Sequence, residues 1–298
     1  AGVHYCDLGI DGKSTKSALH MDSAAKGQGV TAVISTGWYA IMGLMAVYAA
    51  HQLSHTDAVD VCSMFDYSPG EFYSPDQSLA RARERGYVET SWDGIEMAAE
   101  PVWTYRDGRW VRLESLENPN KVFHPSGSEV TAYLVDSPLT HTLSRHLPGV
   151  QTVANLFSLY PPALNELFIR ESRRIGKGET DWAGAALDFF ETAVGNKERY
   201  FAMPEGYPGG WWMWINASGT KDGQKVRYTC WPSMFVNWTS VPLIIIALRI
   251  LRGDVSMHGV FTAEACMTLE SFLAEVAKYV PAEHRGKPLL NERLDVLD

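Results

Sequence analysis

Three basic side chains, His141, Arg145 and His146, fall at i, i+4 and i+5 of one helical stretch. His141 and Arg145 share a face of that helix, and a guanidinium beside an imidazole can take a carboxylate through two parallel hydrogen bonds. An ion-paired surface helix has the same spacing, so both readings stand. A second constellation runs from Ser158 to Glu166, where Tyr160 and Asn165 flank Pro161 and Pro162 at the entry to a helix. Such entries present polar groups to ligands, and they also serve as rigid turns with a packed Tyr. A third, Glu205 to Trp214, gathers three Trp and a Tyr around glycines. Its chemistry suits an apolar pocket, a subunit interface or plain core.

Other chemistries find no support. The four cysteines, Cys6, Cys62, Cys230 and Cys266, are too far apart for metal-ligand spacing, so no metal is expected and free thiols in a reducing, cytoplasmic setting are the simplest account. There is no G-x-S-x-G and no Cys with a positioned His motif. Gly27-Gln28-Gly29-Val30-Thr31-Ala32 matches G-x-G-x-x-A. A dinucleotide loop follows a strand and opens a helix, whereas here a helix comes first and a strand follows. The glycines therefore read as a helix C-cap.

The elements that must carry these groups follow from periodicity. His4 to Leu8 reads as a short strand, 14–26 as a helix, Val30 to Ser35 as a buried strand and Ile41 to Leu53 as an apolar helix. That order suggests parallel strands joined by a crossover. Ala58 to Asp66 alternates like a strand, and Pro75 to Arg85 reads as a surface helix. Asp107-Gly108 and Asp222-Gly223 each stand between two strand-like runs and predict tight hairpins. Ser137-Pro138 opens a helix, two more are expected over 163–175 and 181–194, and another over 241–252 is stopped by Gly253. Thr262 is expected to cap a further helix in a helical tail.

At 298 residues and 46% apolar, with 34 aromatic side chains (10 Trp, 13 Tyr, 11 Phe), the chain can bury a large core. A formal charge of −9 disfavours nucleic acid as a partner. No apolar run reaches the roughly 18 residues that would span a bilayer. The chain opens on Ala1-Gly2-Val3-His4-Tyr5-Cys6-Asp7-Leu8 without an initiator Met, as a fold entered midway would. The expected class is α+β: the last strands of a parallel sheet over 1–55, a mixed or antiparallel sheet over 56–240 and helices over 241–298.

That opening octapeptide resembles the late Rossmann strand of saccharopine dehydrogenase-like oxidoreductases. Three more stretches follow in that family's order: Val30 to Ala50; Phe123 to Ser128 with Ser137 to Leu143; and Pro242 to Val260. The resemblance implies an NAD- or NADP-dependent enzyme that makes or breaks the C–N bond of an opine-like amino acid or related amine by hydride transfer. It implies that Asp7, Gly37, Trp38 and Tyr39 lie at the nicotinamide end, and that Arg145, His146, Tyr160 and Asn165 face a small-molecule substrate. It also implies a substrate and dimerisation domain, hence a homodimer. Two departures stand out. The family's first βαβ unit with its glycine loop would precede Ala1, which leaves this portion inactive on its own, and Tyr39-Ala40 replaces a frequent Pro-Gly pair. The other reading is a non-catalytic interaction module retained from an oxidoreductase fold.

Overall fold

The computed structural model describes residues 2–67, 75–85, 98–116 and 119–297. Two sheets organise them. The smaller is parallel, with β1 (Tyr5–Cys6) and β11 (Gly259–Phe261) on either side of β2 (Thr31–Val33). The larger is mixed, in the order β12-β10-β9-β3-β8-β4-β5, where β3 (His55–Asp66) runs parallel to β8 (Thr152–Tyr160) and antiparallel to β9 (Trp212–Lys221). β7 (Glu129–Leu134) also pairs with β8 and carries β6 (Asn120–Phe123) as a hairpin. The α+β class, with a small parallel sheet beside a larger mixed one, is the observed architecture.

Both predicted hairpins form. β4 (Val102–Arg106) turns into β5 (Arg109–Leu113) through Asp107 at φ 52° and Gly108 at φ 72°. β9 turns into β10 (Gln224–Pro232) through Asp222 at 51° and Gly223 at 80°. Two successive residues at positive φ match the twist of the flanking strands, and Asp-Gly tolerates that conformation better than most pairs.

Helix α1 (Gly12–Leu19) starts where the Asp11 carboxylate accepts the Ser14 N–H at 2.6 Å. The single helix expected over 14–26 is instead two, because the chain breaks after Leu19 and restarts as α2 (Asp22–Gly27). The break frees Asp22, whose carboxylate accepts the Val260 N–H at 2.9 Å and ties α2 to β11. Gly27 then ends α2 and Gly29 adopts φ 63° before β2, so the glycine pair is a helix stop. α3 (Trp38–His51) is apolar nearly all round and buried nearly all round. It packs against β3, β9 and β10, and it lies at the centre of the largest core, with Val59, Val61, Ile215, Ile245 and Phe272 among its companions there.

The remaining helices are α4 (Pro75–Arg85), α5 (Pro138–His146), α6 (Leu164–Gly176), α7 (Trp182–Gly195), the short α8 (Lys197–Tyr200), α9 (Ser240–Arg252) and α10 (Leu269–Val276). Ser137 caps α5 with Pro138 at its first turn, and Gly253 closes α9 at φ 77°, as their sequences require. The helical tail needs correcting at two points. Thr262 leads only a 3-10 turn over Ala263–Ala265, and Thr268 caps α10 by accepting the Ser271 N–H. Residues Leu290–Val296 form a strand, β12, which pairs along β10 at the sheet edge. Alternation of Asn291, Arg293 and Asp295 with Glu292, Leu294 and Val296 gives the strand its two faces, and neither is apolar enough to read as a buried element.

Candidate functional site

The chain beyond the carboxyl end of β1 runs through Ile10 and Asp11 into α1, directly opposite the β4–β5 hairpin and α5. Between them lies a cavity of about 660 Å³ lined by Asp11, Lys13, Lys16, Glu100, Arg112 and Asp136, among others. It shares Lys16, Trp103 and His141 with a second cavity of about 320 Å³, which adds Leu19, His20, Trp110 and Arg145. A third, about 220 Å³, shares Leu19 and Arg145 and reaches Thr142, His146 and His258. The three follow one another along α1 and α2 as a single cleft between the two sheets.

Local sequence explains the walls. Alternation along the hairpin puts Trp103, Tyr105, Trp110 and Arg112 on one of its faces. Trp110 lies parallel to the His141 ring, with centroids 5.5 Å apart and planes at 14°. His141 is 8% exposed, and its Nε2 stands 3.3 Å from the Asp136 carboxylate. Gly12 lets the Asp136 carboxylate and His141 close on the backbone, since a Cβ there would force both side chains to move. Lys16 Nζ sits 5.4 Å from the Trp103 ring. Among the described residues, Lys13, Lys16, Arg112 and Arg145 form no ion pair, and Asp11 and Glu100 have no basic partner. The one ion pair in the cleft's third cavity joins Asp22 to Lys26. Its lysine, the Val260 N–H and then the field of Arg145 hold the Asp22 carboxyl below the usual range. Unpaired charges of both signs around one cavity are what a ligand carrying an amine and a carboxylate would need.

The expected site residues divide. Arg145 and His146 line the cleft, Arg145 exposed and His146 half-buried. His141, on the same helix face as Arg145, lines it too. The other six expected residues line none of these cavities. The Asp7 carboxylate accepts the Gly9 and Ser35 N–H groups, both at 2.8 Å, and so fastens the ends of β1 and β2 together. Gly37 is the N-cap of α3 against Leu8 and Thr239. Trp38 meets Tyr39 edge-on and Phe65 at a tilt, and burial pushes the Tyr39 hydroxyl pKa up. Tyr160 is 5% exposed, lies parallel to Tyr207 and precedes a cis Pro161. Asn165 spends its amide inside its own turn, donating to Leu159 and Pro162 carbonyls and accepting the Leu159 N–H. Lys16, Trp103, Trp110, Arg112 and Asp136 were not singled out in the sequence. The alternation of the hairpin, once placed, was the available signal for three of them.

Neither a family model nor a curated protein matches the sequence. The structure does have a match: apo histidine-tagged saccharopine dehydrogenase (L-Glu forming) from Saccharomyces cerevisiae, with a TM-score of 0.53 over 99% of this chain and 80% of that one, at 9% identity. The fold is saccharopine dehydrogenase-like. A saccharopine dehydrogenase-like fold implies a nicotinamide cofactor in related proteins, and the described residues can be tested against it. A pyrophosphate needs open backbone N–H groups in a turn where glycines leave room. Here the room beside Gly9 is taken by the Asp7 carboxylate, beside Gly12 by Asp136 and His141, and beside Gly37 by Leu8. Carboxylates at the first two positions repel phosphate. The described residues therefore do not fit the pyrophosphate part of such a cofactor. They also include no cluster of His, Cys, Asp and Glu able to hold a metal, and no helix long and apolar enough to cross a membrane.

Proposed function

We propose that this chain is the substrate-binding portion of an NAD(P)-dependent oxidoreductase acting on an opine-like amino acid or related amine. The observation that carries the reading is the charged cleft at the carboxyl end of the parallel strands, where open α/β sheets take their ligands, within a saccharopine dehydrogenase-like fold. Arg145 and Lys16 supply positive charge for a carboxylate; Asp11, Glu100 and Asp136 supply negative charge for an amine. Hydride transfer would be the chemistry of the bound cofactor. Free cysteines at all four positions agree with a reducing, cytoplasmic setting. A homodimer is part of the same proposal, supported by exposed Ile244 and Leu251 two turns apart on one face of α9.

The test is the full-length protein with NAD or NADP and a panel of opines, saccharopine included, read as reduced cofactor. Turnover that Arg145→Gln weakens mainly through KM supports the reading. Cofactor binding without turnover of any opine or amine would replace it with a second reading, an interaction module retained from an oxidoreductase fold. The filled glycine turns favour that alternative. For the 298-residue chain by itself, the same turns predict no saturable NADPH binding at micromolar concentrations.

A further inference from the structure

The middle cavity of the cleft differs from the rest in kind. Its lining holds Lys16, His20, Arg145 and His141 with Trp103, Trp110 and Leu19, and no carboxylate. In a chain of net charge −9 this is a local reversal of sign. Lys16 and Arg145 form no ion pair among the described residues, and although the field of Arg145 also reaches Asp22, its guanidinium N–H groups are not taken up by a carboxylate. The walls are flat. Trp103 and Trp110 lie on one face of the β4–β5 hairpin and keep 38% and 40% of their surface exposed. Trp110 already holds one planar ring, His141, in a parallel stack, and Lys16 lies over Trp103. At about 320 Å³ the cavity is at the small end of the roughly 300–1,000 Å³ range of ligand pockets.

We propose that this cavity binds a planar aromatic ring bearing an anionic group, either a carboxylate or a phosphate. The ring lies against the indoles, where offset stacking rewards a flat π-face over a saturated ring of equal volume. The anion meets Arg145, whose planar guanidinium can donate two parallel hydrogen bonds, with Lys16 as a second, point charge. This rests on the cleft being the ligand site, as in the function proposed above, and it narrows the ligand class to molecules that carry an aromatic ring. It takes no account of hydride transfer and can be tested without it.

The experiment titrates the 298-residue chain with indole-3-acetate and with AMP, the first a ring carboxylate and the second a ring phosphate, with cyclohexylacetate as the saturated control. Tryptophan fluorescence and calorimetry give the affinities. The expected result is saturable binding of at least one ring anion, about tenfold tighter than the saturated acid. Which of the two binds identifies the source of the anion. Arg145→Gln, at an exposed helix position that leaves the fold intact, should weaken binding about tenfold or more and reduce its sensitivity to salt. Trp110→Leu should weaken it about five- to tenfold, with circular dichroism to confirm folding. Saturable binding of neither ring anion, equal binding of cyclohexylacetate, or affinity unchanged by Arg145→Gln overturns the proposal. Ring binding without turnover in the full-length protein sinks only the oxidoreductase reading. Turnover of aliphatic opines without any ring preference sinks only this inference.

Discussion

The two sheets of this protein are held together by different forces. On one face of the small parallel sheet the buried apolar cluster is only Ala32, Ile34 and Val260, with Ala18, Leu19 and Ala25 against them. On its other face Val33 and Phe261 join the largest core, and polar clamps fix its strands as well. His4 Nδ1 accepts the Thr31 N–H at 3.0 Å, the Thr31 hydroxyl donates to the Met257 carbonyl at 2.7 Å, and Asp7 and Asp22 take N–H groups of Ser35 and Val260. The large sheet is apolar on both faces: Val59 and Val61 meet α3 on one, while Cys62, Met64 and Trp214 pack under the β6–β7 hairpin on the other. Its stability grows with buried area on two faces, whereas the small sheet joins one large buried face to a few directed bonds. The cleft lies between the two, so its walls inherit one rigid side and one held by hydrogen bonds.

Emptying the large sheet should cost most. Trp214 is fully buried, donates its indole N–H to the Phe123 carbonyl at 2.8 Å and touches His124 edge-on. Trp214→Ala is expected to destabilise the protein by about 3–5 kcal/mol in urea unfolding. A loss below about 1 kcal/mol would mean that area is not what holds this sheet.

Acid should act on the same region next. Burial holds the His124 imidazole neutral, with its pKa lowered to about 4 from 6.5. Between those values the unfolded chain binds a proton that the native one refuses, so stability falls as pH drops from about 6.5 to about 4, by about 2–3 kcal/mol. Half-buried Asp60 on the central strand opposes this. Burial raises its carboxyl from 3.8 to about 6, so the native state holds the extra proton and stability falls as pH rises through that interval. Relative to the wild type, His124→Phe should leave only the Asp60 contribution and make the protein more stable at about pH 4.5 than at about pH 7, whereas Asp60→Asn should leave only that of His124 and make it more stable at about pH 7. No change of slope in either variant would remove both assignments.

The smallest effect belongs to the small sheet. Asp22→Asn weakens the clamp on Val260 and the pair with Lys26, for about 0.5–1.5 kcal/mol. Hydrogen exchange should place that loss locally, speeding the amides of Thr31 to Val33 and Val260 while those of β3 and β8 stay protected. Uniform acceleration would show that the two sheets open as one unit and erase the contrast.

Much of the fold was legible because single residues dictate local backbone. Asp-Gly pairs fixed two hairpins through positive φ, Ser137-Pro138 fixed the start of α5, and Gly253 fixed the end of α9. The parts that escaped depend on partners far along the chain. Asp22 breaks a continuous helical pattern only because Val260 is there to receive it. β12 is a charged edge strand whose pairing comes from β10, not from its own pattern. The candidate site follows the same rule. Arg145 and His146 were visible from spacing on one helix, but the wall facing them is a hairpin whose inner face exists only once the sheets are assembled. Tyr160 and Asn165 have the residue types of a binding site, and their turn consumes that chemistry internally.

The strand order of the small sheet carries a consequence for synthesis. Its middle strand and the neighbour at Gly259–Phe261 lie far apart in sequence, and the Thr31–Met257 bond spans 226 positions. On the ribosome, β2 must wait with one edge bare until most of the chain has emerged. The closure of so long a loop is slow to be rewarded. The large sheet can assemble β3, β8 and β9 before that moment, which makes the cleft a late product of folding, completed only when β11 returns to β2.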